Sequence, residues 1–76
     1  MDSEVTRLKQ QIEQEYQAMK EGLTGLSSVA RHQIIHQRYE NIYHCMEALE
    51  TLIGEEQSRA IVIQINNQVI EGRVQA

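Results

Sequence analysis

The stretch HQIIHQRYENIYHCM, residues 32–46, brings together side chains that can bind metal or carry protons: His32, His36, Glu40 and His44 recur every four residues. Neighbours four apart stand one above the other on a helix, so His32 with His36 is a pair that could chelate zinc or nickel, as two histidines do on a zincin helix. The same geometry limits the set. From His32 to His44 the helix turns through a net ~120°, so one ion cannot collect all four groups. Two imidazoles fill half of a tetrahedral site, and a second copy of the chain would have to supply the rest. The plainer expectation is that His32, on an extension of the apolar seam, and His36 beside it are half-buried packing groups.

Other chemistry is less well supported. Cys45 is the only cysteine, and its neighbour His44 points about 100° away around the helix, so the two do not form a nucleophile and base. A packed thiol is the expectation, since free cysteine is among the most buried residue types. Glu55 and Glu56 resemble an acid/base pair in composition alone; at a helix start they compensate the positive end of the dipole. No phosphate-binding loop and no orienting third group for a nucleophile can be found, so a non-catalytic protein without a cofactor is expected. Arg31, His36, Arg38, Tyr39 and Tyr43 are better suited to protein recognition, where Arg and Tyr are the enriched anchors.

The elements that position these residues follow from apolar spacing. Val5, Leu8, Ile12, Tyr16, Met19 and Leu23 form one helical stripe, which gives a helix over about 3–21 capped by Asp2 or Ser3. GLTGLSS, residues 22–28, punctuates it: Gly22 is expected to take the left-handed turn that ends the helix, and Thr24, Ser27 or Ser28 to cap the next. A link this short makes the neighbouring helices antiparallel. The second helix runs over about 28–53, roughly 39 Å at 1.5 Å per residue, and stops at Gly54. Its seam of Ile35, Tyr39, Ile42, Met46, Leu49 and Ile53 has the 4, 3, 4, 3, 4 spacing of a coiled coil. Ile34, Cys45, Ala48 and Leu52 lie in a row beside it, so the apolar face becomes wider from Cys45 onward than one partner helix can cover.

The third segment, about 55–71, has a helical stripe in Val62, Ile65 and Val69. Its β-branched AIVIQI also allows a β-hairpin over 60–74. Helix is favoured, because an isolated hairpin is barely stable and nothing else in the chain has strand character. Residues 72–76 are expected to be a frayed tail.

Composition bounds what these elements can do together. A 76-residue chain supports one domain with a small core, here 1–76. With no Trp or Phe and a single cysteine it lacks aromatic filling and an internal disulfide. The net charge of −4 argues against duplex DNA or an anionic membrane as partner, and two arginines are a thin footprint for single strands. MDSEVTRLKQQ has no apolar core of a secretory signal and no run is long enough to span a bilayer, so a cytoplasmic location is expected. Charge is uneven: Arg31, Arg38 and three histidines stand against Glu40 between Leu23 and Met46, while Glu47 to Glu56 holds four acids and no base.

The sequence therefore predicts an all-α fold, an antiparallel helical hairpin with a short third helix. Two hairpins are expected to pair into a four-helix-bundle homodimer through Leu8, Ile12, Met19, Ile35, Ile42, Met46, Leu49 and Ile53. The expected function is an adaptor, regulator or assembly factor that binds a larger, acidic protein through Arg31, His36, Arg38, Tyr39 and Tyr43. The alternative is a metallochaperone-like dimer using His32 and His36.

Overall fold

The computed structural model describes residues 3–72, and among them helix is the sole regular structure, with no strand. Three helices pack together: α1, Ser3–Glu21; α2, Ser28–Ile53; and α3, Glu55–Val69. The hairpin alternative for 60–74 is thus replaced by helix through Val69. The expected caps at Asp2 and the tail beyond Gly72 lie outside the described residues.

Local chemistry explains each boundary. α1 carries Glu4 in its first turn and Lys20 in its last, each matched to the helix dipole. Ser27 is the cap of α2: its hydroxyl accepts a hydrogen bond from the Ala30 amide at 3.2 Å. The expected left-handed turn at Gly22 does not occur there; positive φ falls at Gly25, at 82°. Gly22 instead keeps its amide on the Ala18 carbonyl at 2.8 Å. A Cβ at Gly22 would lie 2.8 Å from that same oxygen, so the position needs glycine for close approach rather than for handedness.

Gly54 alone separates α2 from α3. Its φ of 91° and ψ of 159° belong to a region that only glycine occupies without strain, and the amide still bonds the Glu50 carbonyl. The reversal brings α3 back along α2. Ser58, fully buried, donates its hydroxyl to the Met46 carbonyl at 2.9 Å and pins the two helices in register.

The core is one cluster of Leu8, Ile12, Tyr16 and Met19 from α1, Ile42, Cys45 and Leu49 from α2, and Ile65 and Val69 from α3. Val5, Ile35, Ala48, Ile53, Ile61 and Val62 pack around it, half-buried. The wide apolar face that begins at Cys45 is therefore covered by α3 of the same chain, which takes the side of the hairpin expected to meet a second hairpin. Leu52 falls outside this cover and remains 49% exposed.

The core predicts its own sensitivities. Leu49→Ala, at a fully buried site, should lower unfolding free energy by about 2 to 5 kcal/mol, and the exposed Glu13→Ala should change it little. Gly54→Ala should cost about 1 to 3 kcal/mol through backbone strain, although no neighbouring atom obstructs the methyl group. Urea unfolding followed by helicity measures all three.

Candidate functional site

Between α1 and α2 a polar clasp sets the hairpin register. Glu15, with 13% of its side chain exposed, accepts hydrogen bonds on one oxygen from Arg38 Nη1 at 3.0 Å and Asn41 Nδ2 at 3.2 Å. Gln37 supports Asn41 from one turn earlier through a 3.1 Å bond to Oδ1. Next to the clasp the Tyr16 and Tyr39 rings meet edge to face, with centroids 6.2 Å apart and an interplanar angle of 86°. Burial, with smaller contributions from Tyr39 and Tyr43, pushes the Tyr16 phenol up to about 12. The Cys45 thiol is buried and pushed above its ordinary value, first by burial and then by the Glu15 carboxylate. A thiol so placed is a packing group rather than a nucleophile.

The expected recognition residues do not share one face. Arg38 is held by Glu15 on the α1 side of α2, and at 100° per residue it points roughly 140° to 160° away from Tyr43 and His36. Arg31 is exposed near the hairpin tip, where it lines a shallow hollow with Leu23, Ser28, His32 and Ile35. His36, Tyr39 and Tyr43 lie on the opposite flank of α2, with Tyr39 40% and Tyr43 57% exposed.

The histidines are also placed differently from the expectation. His32, His36 and His44 are all exposed rather than half-buried. His36 Nε2 lies 3.5 Å from Glu40 Oε1, a loose surface pair that carries charge on the ring only when it is protonated. Among the described residues no group of three or more His, Cys, Asp or Glu side chains could hold a metal ion. The expected core positions divide as follows: Leu8, Ile12, Met19, Ile42 and Leu49 are buried, and Ile35, Met46 and Ile53 are half-buried.

A second row of exposed apolar groups runs along α3. Ile63 is 60% and Ile70 41% exposed, and seven residues apart they share a face. The α1-facing flank of α3 carries Ile61, Gln64, Ile65 and Gln68, opposite Thr6, Lys9, Gln10 and Glu13. Ile63 projects well away from that flank, toward the outside of the α2/α3 pair. Counting equally along both helices from the Ser58–Met46 bond places Ile63 level with the stretch between Tyr39 and Tyr43. The outer surface of α2 and α3 thus presents Tyr39, Tyr43, Ile63 and Ile70 together, while the hairpin tip carries a separate exposed pair, Leu26 and Val29.

Neither the Glu15 clasp nor the Ser58 bond was visible in the sequence. Both join residues on different helices, and only the apolar stripes on either side of them hint that the helices meet. No helix among the described residues is long and apolar enough to cross a membrane. Comparison with protein-family models, curated proteins and solved structures finds no match to this chain.

Burial of Tyr16 has a consequence for stability at high pH. Its folded pKa of about 12 lies above the ordinary 10.0, so the neutral phenol favours the folded chain. That contribution is complete below pH 10 and is lost as pH rises through about 12. Stability should therefore fall between these values, and Tyr16→Phe should flatten the fall. Denaturant midpoints at stepped pH provide the check.

Proposed function

We propose that this chain is a small non-catalytic interaction protein that self-associates and docks onto a larger protein as an adaptor, regulator or assembly factor. The observation that supports this reading is the exposure of large apolar side chains on the outside of the core, chiefly in two groups, Tyr39, Tyr43, Ile63 and Ile70 on α2 and α3, and Leu26 and Val29 at the hairpin tip, with Leu52 apart from both. Exposed apolar groups gathered on one face are a common mark of protein contact.

The two groups suit different partners. Tyr39 and Tyr43 are amphipathic and stiff, and with Ile63 and Ile70 they offer a face for a second copy. The dimer would then resemble a four-helix bundle built from α2 and α3 of each copy, since α3 occupies part of the hairpin face that the sequence had reserved for a partner. The tip carries Arg31 and His32 beside Leu23 and Val29, without an acid in the first turn of α2. Free amides at that helix start and the Arg31 charge favour an acidic protein surface. Arg38 contributes little to this attraction because Glu15 already neutralises it.

Sedimentation equilibrium from ~1 to ~300 µM should show a mass rising from monomer toward dimer. A folded monomer over the whole range would contradict self-association. For the second partner, a photoreactive side chain at residue 29 should capture one acidic protein in native cells, and the same group at Gln10 on α1 should not. Equal capture from both positions would count against the tip as a docking site.

A further inference from the structure

We propose that the second copy docks antiparallel on the α2/α3 face, with a twofold axis at Tyr43 that sets His36 of each copy against Glu50 of the other. The inference rests on the self-association proposed above and adds its face, direction and register.

Charge on α2 supplies the argument. The first half of the helix carries Arg31, His32, His36 and the Glu15-paired Arg38 against the single acid Glu40, while His44, Glu47 and Glu50 follow Tyr43 without a Lys or Arg, and Glu55 and Glu56 open α3 beyond them. A helix with a basic-leaning half and an acidic half is self-complementary when two copies run in opposite directions, and self-repelling when they run in parallel. The register follows from the face. His36 lies seven residues before Tyr43 and Glu50 seven after, so all three fall on one side of α2. A twofold axis through Tyr43 stacks the two copies of that ring and brings His36, Tyr39, Glu47 and Glu50 into reciprocal contact. Glu40, 3.5 Å from His36 in its own chain, lies at the edge of the same contact, where Glu50 of the second copy joins it beside the imidazole.

The α3 side chains complete the surface. Ile63 lies level with Tyr39 and Tyr43 and covers the flank of the axis, and Ile70 lies further along the same row. The Arg59–Glu55 pair, at 3.5 Å, closes the rim. The overlap of α2 with α3 is about 22 Å long and two helices, roughly 20 Å, wide. Such a face, about 900 Å² over both copies, lies below the standard size of stable interfaces and in the range of transient ones, so a weak dimer that dissociates at micromolar concentration is expected.

Sedimentation equilibrium on four variants tests the register, with helicity measured alongside; each altered position is exposed or half-buried. Tyr43→Asp should weaken the dimer by about thirtyfold or more, because it sets two carboxylates together on the axis. His36→Glu and Glu50→Lys should each weaken it, by roughly fivefold to tenfold, since each change is felt twice across the twofold. An equimolar mixture of these two variants should recover an affinity within about threefold of the unaltered protein. The mixed dimer pairs the introduced carboxylate of one variant with the introduced ammonium of the other and keeps one native contact between His36 and Glu50. Lys9→Glu, on the α1 face, should leave dimerisation unchanged. If the unaltered protein dimerises and the variants match it, or the mixture fails to recover, this face and register are wrong while self-association stands. If the unaltered protein remains a folded monomer to ~300 µM, both proposals fall.

Discussion

The fold depends on a single packing constraint: the apolar face of α2 from Ile42 to Leu49 is too wide for α1, and the chain must return to cover it. A 76-residue domain without Trp, Phe or a disulfide has little apolar area to spare. The return is made possible by Gly54, whose backbone conformation reverses the chain in one residue. Once α3 is in place, Ile65 and Val69 close the core over Ile42, Cys45 and Leu49, and the buried Ser58 satisfies its hydroxyl on Met46 without disturbing the apolar packing.

Polar contacts then set register rather than supply most of the stability. Glu15, Arg38 and Asn41 form a clasp at one level of the hairpin, next to the Tyr16–Tyr39 contact. Because Arg38 remains 38% exposed, its ion pair with Glu15 is of the kind worth about 1 kcal/mol or less. Its larger consequence is for function: the clasp removes one of the two arginines from the recognition surface. What is left on the outside is aromatic and aliphatic around Tyr43, and weakly basic at the tip.

The helices were legible in the sequence because their signals are local. The 3- and 4-residue spacing of Leu8, Ile12, Tyr16 and Met19 gives α1, Gly54 gives the end of α2, whose cap was open among Thr24, Ser27 and Ser28, and Glu55 and Glu56 mark the start of α3. The β-branched run AIVIQI was the ambiguous element; it is helix, with Ile65 buried in the core and Ile61 and Val62 half-buried around it. Tertiary relations were harder to read. The sequence offered two ways to cover the wide face, a second chain or the third segment, and periodicity does not distinguish them. The same difficulty made His32, on an extension of the seam, and His36 beside it half-buried in expectation, although both are exposed, and put Arg38 beside Tyr43, although the helix turns them apart.

The surface therefore follows from how the core is closed. With α3 packed on α2, the outward sides of both helices acquire a shared row of tyrosine and isoleucine that neither would present alone, and the hairpin tip extends past the end of α3. If α3 were only loosely attached, the Tyr43 face would not exist as a surface. Native-state hydrogen exchange resolves this most directly. The account predicts that amides of Ile42–Leu49 in α2 and Ile61–Ile65 in α3 exchange through one shared opening, with similar free energies and the same denaturant dependence. Exchange of the α3 amides through a separate opening of much lower free energy, with α1 and α2 still protected, would contradict it.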